Sequence, residues 1–600
     1  MKTTHIQKMI LSFLITLAMG VGLFITAVPL TASARSASEL VTDINKYRND
    51  NGGTLSATYS SNTVTVTGSF EKGNPTKTLE LNINAGVTVI WKARFIGTSS
   101  AALISTTGAG TFVVAQGGLI QGNQGTCALH AGGDVRVEGG EVSRLDGSNS
   151  NGTYAVNVGG TNSSFTMSSG KITSTSTGVM AVANATITGG EIISSGTGLK
   201  AFNTKITGGK ITTTGGQAAI EMTGDGPALL ITGGTVTATN TSYGSIYAGK
   251  KANISITGGA VKATDCNEGL RTGDNSKLSV TGGTVSISYI KTGMWLGAYN
   301  YINIKGVNVT SNSSSAQTGI SAGINCNGIY LTDCNISCST GYGISFSQNS
   351  SIYLTRGTVT TNSTNANHHA IWSNGANTLV GMTDGTVKNT GPGCAISCPN
   401  GSVSTYHNTN YPQYAPPQVL ATTGTAINAH TVGIMGGLVE NAGTGNNATI
   451  YANSVGNIYE SVIIHFGTIR NKALNNGSAV ATPGFAIIMA SEATDGAVLI
   501  EATGTNGKRY DTRGATGIAV EWTGSNGDMY TVGSTKDLII YGDGATAYWV
   551  DEGHSPGAIR YLRGTNSGCT WAPNAIVNSG VIEKITVKIP VVLFPKIPLF

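Results

Sequence analysis

A glycine-marked repeat is the feature that most constrains how this chain can fold. A Gly-Gly or x-Gly pair, any residue and then Val or Ile recurs along most of the 600 residues. In the most regular stretch the second glycines are Gly170, Gly190, Gly209, Gly234, Gly259 and Gly283, spaced by 20, 19, 25, 25 and 24 residues. Weaker copies follow at Gly306, Gly357, Gly385, Gly437 and Gly467. A period of this length predicts a solenoid with one coil per repeat.

Alternating apolar residues on both sides of the glycine pair predict strands. Ile254-x-Ile256 precedes one pair and Val261 follows it, while Ile231 and Val236 hold the same places one repeat earlier. Period-two alternation buries one face of a strand, and glycine permits a bend with positive φ. We expect Ile256 to lie over Ile231 and Val261 over Val236, about 4.8 Å apart. The predicted fold class is all-β: a single-stranded right-handed parallel β-helix, with a short N-terminal capping helix and a β-rich C-terminal cap or small domain.

The chain divides into five predicted segments. They are a signal peptide at 1–34, a capping helix at 35–53, the parallel β-helix at 54–470, a divergent β cap or small β-domain at 471–580, and an apolar tail containing prolines at 581–600. In the first, an apolar run precedes the small-x-small cleavage site Ala32-Ser33-Ala34, with an uncleaved anchor as the alternative. We therefore predict a secreted or cell-surface protein with no membrane span in the mature chain.

The composition of the chain limits which classes of binding partner it suits. Charged residues form 11% of the chain and the formal net charge is +5, which provides no basic surface for nucleic acid. Four of the eight cysteines form two C-x3-C pairs, Cys334 with Cys338 and Cys394 with Cys398. That spacing suits neither a zinc ribbon nor a thioredoxin site, so buried thiols are favoured over disulfides.

Three aromatic residues are candidates for ligand binding. Trp295, Tyr299 and Tyr301 share parity and would project to the same side of an extended segment. A pyranose ring can stack on such flat side chains. Packing of the three rings under a loop is the alternative.

Four polar residues are candidate calcium ligands. Asp265, Asn267, Glu268 and Asp274 lie within ten residues of one another. Calcium accepts carboxylate, amide and carbonyl oxygens in irregular geometry, which a coil corner could supply. Ordinary turn formation by Asp and Asn is the alternative.

The coil that begins at Glu268-Gly269-Leu270-Arg271 and continues through Val285 resembles the repeat of bacterial β-helix proteins described as carbohydrate-binding domain-containing. The resemblance implies a polysaccharide-lyase-like fold, binding of polysaccharide or cell-wall glycan, and calcium held between coils. The part from Leu79 to Val142 is similar to the start of large surface proteins of Gram-positive bacteria, in which such solenoids precede InlB-type or S-layer repeats.

Of the linear motifs of polygalacturonase-like enzymes, an Asp-Asp pair and Gly-His-Gly are absent, and Arg-x-Lys occurs once, as Arg470-Asn471-Lys472, without its partners. His368 and His369 lie in a polar stretch without a nearby acid. The sequence therefore favours a carbohydrate-binding or adhesin-like module over an enzyme. A polysaccharide lyase or glycoside hydrolase with groups dispersed over several coils, and a structural spacer of the cell envelope, are the alternatives.

Overall fold

A capping helix opens the part of the chain that the structure describes. The computed structural model describes residues 35–71, 77–145, 152–311, 318–407, 415–442, 447–452 and 462–471, and the backbone alone of seven strands between 478 and 550. The predicted signal peptide and the tail at 581–600 lie outside these residues. Helix α1 (Ala37–Asn51) begins after Ser36, whose N–H donates to the Glu39 carboxylate at 2.8 Å. Its buried residues include Leu40, Ile44 and Tyr47, so the predicted capping helix is confirmed.

The remaining described elements are strands. Those up to residue 144 are β1 (Ser56–Ser60), β2 (Thr63–Thr67), β3 (Ser69–Glu71), β4 (Leu79–Asn82), β5 (Thr88–Trp91), β6 (Arg94–Gly97), β7 (Ala102–Thr107), β8 (Thr111–Ala115), β9 (Leu119–Gly122), β10 (Cys127–Ala131) and β11 (Asp134–Arg144). Those from 154 to 296 are β12 (Tyr154–Val158), β13 (Ser164–Ser174), β14 (Thr177–Ile187), β15 (Glu191–Ser194), β16 (Leu199–Ile206), β17 (Lys210–Thr213), β18 (Ile220–Met222), β19 (Ala228–Ile231), β20 (Thr235–Thr239), β21 (Ile246–Ala248), β22 (Asn253–Thr272) and β23 (Lys277–Leu296). Those from 301 to 452 are β24 (Tyr301–Lys305), β25 (Val307–Ser311), β26 (Thr318–Ala322), β27 (Gly328–Cys338), β28 (Tyr342–Phe346), β29 (Ser351–Thr361), β30 (Ile371–Trp372), β31 (Leu379–Met382), β32 (Thr386–Asn389), β33 (Ile396–Tyr406), β34 (Gln418–Ala421), β35 (Ile427–Asn441) and β36 (Ile450–Ala452). The last are β37 (Val462–Asn471), β38 (Ser478–Thr482), β39 (Ile487–Met489), β40 (Val498–Ala502), β41 (Ile518–Trp522), β42 (Tyr530–Thr531), β43 (Leu538–Gly542) and β44 (Thr546–Val550).

The strands stack into three parallel sheets, here called A, B and C. Each coil passes through sheet A before its glycine pair, through sheet B after the pair, and then through sheet C. Long strands bend at the corners, and β22 and β23 each contribute to all three sheets. Among the described pairings only that of β1 with β2 is antiparallel. The predicted all-β parallel β-helix is therefore confirmed.

The core is a set of apolar columns running along the solenoid axis. In sheet A Ile231 pairs with Ile256, and in sheet B Val236 pairs with Val261, as the repeat predicts. All four side chains are fully buried. Because a coil shelters its apolar side chains only against its neighbours, the stacking itself supplies most of the stability.

Glycines form the corner between sheets A and B. Gly209, Gly234, Gly259 and Gly283 have φ values of 75 to 76°. A Cβ on Gly259 would lie 2.7 Å from the carbonyl carbon and oxygen of Gly233 in the preceding coil. The corner therefore needs glycine both for its φ and for the close approach of stacked backbones.

The corner between sheets C and A is marked by left-handed residues, most of them asparagine. Asn325, Asn349 and Asn377 have φ between 54 and 58°. Their side-chain amides donate along the column, from Asn349 to Asn325 and from Asn377 to Asn349, each at 3.0 Å. Tyr299 occupies the equivalent place one coil earlier, with φ 59°; its N–H donates to Ile324, as that of Asn325 donates to Gln348.

The pairing continues past residue 471. Strands β38, β41 and β44 extend sheet C, β39 and β42 extend sheet A, and β40 and β43 extend sheet B, all in parallel. In the part of the chain that the structure describes, no helix combines the length and apolar character that crossing a membrane requires.

The cysteines of the described coils line the solenoid interior. Free thiols are found at Cys127, Cys266, Cys326, Cys334, Cys394 and Cys398. Burial raises the pKa of Cys127 and Cys334 to about 11 and that of Cys394 to about 12. These side chains therefore stay protonated at neutral pH and behave as small apolar residues.

Candidate functional site

The outward-facing residues along the middle of sheet C form one continuous column. Successive backbone pairings align Tyr247, Arg271, Trp295, Ser321, Ser345 and Trp372. Each of these residues is half-buried, as expected for side chains that stand on the outer surface of a stacked sheet. The outward column of sheet C thus brings together large rings, a guanidinium group and hydroxyls from six coils.

Arg271 fixes the ring of Trp295. Its guanidinium carbon lies 4.2 Å from the centroid of the indole and 5.1 Å from that of Tyr243. The Glu268 carboxylate accepts from Arg271 Nη1 at 3.0 and 3.3 Å. Burial raises the pKa of Glu268, and the charge of Arg271 opposes this shift. Cation–π contact with Trp295 and the ion pair behind it hold the indole in place without leaving an unpaired charge at this ring.

Trp372 is fixed in a different way, by stacking on Tyr342. The two ring centroids are 4.9 Å apart with an interplanar angle of 23°. Tyr342 also contacts His368 edge-on at 5.3 Å and lies 6.1 Å from His369. Because aromatic pairs of this geometry favour one arrangement, the stacking holds both rings in place.

A neutral strip of outward-facing surface lies between the two indoles. Trp295 and Trp372 are three strand steps apart in the column, which corresponds to about 14 Å. Ser321 and Ser345 occupy the two steps between them. We call Trp295, Ser321, Ser345, Tyr342 and Trp372 the sheet-C trough. Arg271 covers one face of Trp295 and Tyr342 covers one face of Trp372, so a ligand could use only the other face and the edge of each indole. The serines offer hydroxyls that both donate and accept hydrogen bonds.

The loop that contacts Tyr342 contains a half-buried neutral histidine, His369. Nδ1 of His369 accepts the backbone N–H of Cys394 at 2.9 Å, and Nδ1 of His368 lies 2.7 Å from Ser363 Oγ. Burial, with a smaller contribution from His368, lowers the pKa of His369 to about 4. His369 is therefore neutral at pH 7, and its acceptor nitrogen holds the next coil against the trough.

We expect acid to loosen this side of the trough. The folded-state pKa of about 4 lies below the ordinary value of 6.5, so the stability that neutral His369 contributes is complete above pH 6.5 and declines as pH falls toward 4. Full protonation would cost about 3 kcal/mol. Hydrogen exchange of the Cys394 amide between pH 7 and pH 4 measures the effect.

The matched variant for this prediction is His369→Asn, whose side-chain oxygen can still accept from Cys394 but does not titrate. The extra acid sensitivity of the wild type over this variant isolates His369 from the other groups that titrate in the same range. Identical pH profiles for the two proteins would contradict the assignment.

The structure separates the three aromatic residues predicted from parity. Trp295 is the penultimate residue of β23 in sheet C, Tyr299 lies in the following corner and Tyr301 begins β24 in sheet A. The segment is bent, and shared parity therefore does not place the rings on one face. Tyr299 and Tyr301 are 57% and 42% exposed, and of the three predicted residues Trp295 alone belongs to the sheet-C trough.

Tyr301 belongs to a tyrosine ladder on sheet A. Its ring centroid is 6.0 Å from that of Tyr330, which stacks on Tyr353 at 5.1 Å with an interplanar angle of 13°. Stacked rings cover one another's faces, so the ladder offers mainly ring edges to a ligand.

The four candidate calcium ligands lie at two different corners. Asp265, Asn267 and Glu268 are between the sheet-B and sheet-C segments of β22, whereas Asp274 follows the sheet-C segment. Glu268 is engaged by Arg271, and Asp274 accepts the N–H of Ala298 at 2.9 Å. As placed, the four residues do not fit one calcium site. Throughout the described residues no three His, Cys, Asp or Glu side chains are grouped so that they could hold a metal ion.

Trp372 and Tyr342 were not predicted from the sequence, although a signal for the column exists. In sheet C a small residue and an aliphatic residue precede the outward position, as in Gly293-Met294-Trp295 and Ala370-Ile371-Trp372. The small residue is required because a Cβ on Gly293 would lie 2.4 Å from the carbonyl oxygen of Gly319. Aligning coils on this triplet would have revealed the column.

Comparison with known proteins gives no relative from which a function could be inferred, so the inference of function depends on the geometry of the site. No protein-family model matches the chain, and neither a curated protein nor a solved structure matches it significantly.

Proposed function

We propose that this protein is a secreted or cell-surface β-solenoid that binds polysaccharide in the sheet-C trough and does not cleave it. The observation that carries the proposal is the pairing of two fixed indoles, Trp295 and Trp372, across a floor of serine hydroxyls. A sugar ring presents an apolar C–H face and a rim of hydroxyls, and the trough offers a complement to each.

Fixed rings favour binding because little side-chain freedom is lost when the ligand arrives. Arg271 braces one indole and Tyr342 the other. A purely structural spacer would not require two braced, half-buried indoles in register with a row of serine hydroxyls. This favours a binding module over a purely structural spacer.

The chemistry of the column favours binding over turnover. Glycoside hydrolysis uses two carboxyl groups on either side of the scissile bond, and lyases need a base near a neutralised acid. From Tyr247 to Trp372 the aligned positions hold rings, Arg271 and serines, and the nearby Glu268 is engaged by Arg271. The export signal predicted at residues 1–34 would bring this surface to the outside of the cell.

A polysaccharide panel tests the proposal. Affinity electrophoresis in xylan, mannan, β-glucan, polygalacturonate and alginate should show retardation in at least one gel, and Trp295→Ala should reduce affinity at least about tenfold. Trp295→Phe, which keeps a ring at the same place, should retain most of the binding.

Two outcomes would overturn the proposal. One is the absence of retardation in every gel. The other is the release of reducing ends or of unsaturated products from a bound polysaccharide, which would make the protein an enzyme of the hydrolase or lyase type.

A further inference from the structure

From Trp295 onward the outward column of sheet C carries an aromatic residue at every third step, whereas Tyr247, which precedes it, is two steps from Trp295. Beyond Trp372 the aligned positions are Ser397, Asn428 and Tyr451. Tyr451 is thus three strand steps from Trp372, the same interval that separates Trp372 from Trp295, and it is 40% exposed. In both intervals the two intervening residues are small and polar. The backbone register places Trp549 three further steps along, after Ala481 and Glu521.

An equal spacing of this kind suits a ligand that itself repeats. The rings from Trp295 to Tyr451 cover six strand steps, or about 29 Å along the solenoid axis. A small sugar could contact one ring at a time. An extended polymer lying parallel to the axis could contact all three and meet polar side chains between them.

The charges near this surface indicate which polymers would fit. From residue 306 to residue 469 the chain has six charged residues, Asp333, Arg356, Asp384, Lys388, Glu440 and Glu460. Glu460 is outside the described residues, and none of the other five lies in sheet C. Arg356 pairs with Asp333 at 2.7 Å and Arg470 with Glu440 at 3.3 Å. Asp384 is 6% exposed and accepts the N–H of Gly385, and Lys388 lies in sheet B.

The cations closest to the start of the column do not alter this picture. Arg271 is neutralised by Glu268. Lys291 is exposed and lies four residues before Trp295, at the corner that leads into sheet C. His368 and His369, beside Tyr342, both have a pKa lowered by burial. An acidic polymer would therefore find no row of cations along its length.

We propose that the ligand is a neutral polysaccharide whose extended chain lies along the solenoid axis and contacts Trp295, Trp372 and Tyr451 together. This inference rests on the proposed function and specifies the class and direction of the ligand. A longer polysaccharide contacts more of the three rings within one bound molecule. Its affinity should therefore rise with polymer length until all three rings are in contact.

The test is a length series of β-glucan oligomers, from dimer to dodecamer, measured by calorimetry beside a matched series of polygalacturonate oligomers. Affinity of the neutral series should increase by at least about tenfold between the oligomers that reach one ring and those that reach three. Tyr451→Ser should weaken only the long oligomers. Tyr59→Ser, which removes a tyrosine of similar exposure (55%) from β1, should change nothing.

The outcomes separate this inference from the function on which it rests. Three outcomes would overturn the axial binding of a neutral polymer and leave binding at Trp295 standing. They are equal or tighter binding of the acidic series, an affinity that stops rising once the oligomer reaches one ring, and equal weakening of all lengths by Tyr451→Ser. If neither series binds and the other neutral glycans of the panel also fail, both are overturned.

Discussion

Replacing Gly259 by alanine should destabilise the coils around it by about 3 kcal/mol or more. The new Cβ would require φ near 75° from a residue that disfavours it, and it would meet the Gly233 carbonyl at 2.7 Å. The first effect costs about 1–2 kcal/mol and the second adds about 1–3 kcal/mol of overpacking against backbone that cannot move alone. Urea melts followed by circular dichroism, with hydrogen exchange of the neighbouring coils, measure the loss.

Gly306→Ala is the matched control for Gly259→Ala. Gly306 has φ 71° in the equivalent corner, but no atom lies within 4 Å of a Cβ built there. This variant should show the backbone cost alone, about 1–2 kcal/mol. Equal destabilisation by the two substitutions would show that close stacking of the corners is not what requires glycine at Gly259.

Removing both indoles of the sheet-C trough should reduce polysaccharide affinity by at least about 100-fold, or about 2.7 kcal/mol. Trp295 and Trp372 lie about 14 Å apart without a shared contact, so their contributions should add. Each single alanine variant is then expected to lose about tenfold, and calorimetry with a long oligomer gives the three values.

The comparison of single and double variants distinguishes one continuous ligand site from two separate ones. A double variant no weaker than the poorer single variant would mean that the two indoles do not hold the same ligand molecule. Thermal melts of all three proteins control for structure, because both side chains are half-buried and outward-facing and their loss should leave the coil stack intact.

The coil architecture was predictable because its determinants are local and periodic. Glycine at the A–B corner marks every coil in the regular stretch, and alternation on each side gives the pairing of Ile231 with Ile256 directly. The helical spacing of Leu40, Ile44 and Tyr47 likewise places the capping helix. Each of these signals lies within one repeat or one helix and does not depend on the lengths of the other coils.

The candidate site could not be assembled in the same way, because it depends on register across coils of unequal length. From Trp295 through Ser321 and Ser345 to Trp372 the intervals are 26, 24 and 27 residues, so counting does not align them. Parity was also misleading at Tyr299 and Tyr301, since the corner between them and Trp295 turns the chain from sheet C into sheet A. Only the paired backbone shows which side chains become neighbours.

For the axial polymer proposed as the ligand, the three-coil interval between rings limits how a molecule of this design can change length. One coil inserted between Trp372 and Tyr451 would shift the second ring out of phase with a bound polymer. A block of three coils would restore the phase and bring a fourth ring with it. Gene duplications that come in such blocks would therefore extend the reach of the protein without disturbing its fit, and engineered versions can be lengthened or shortened in the same unit.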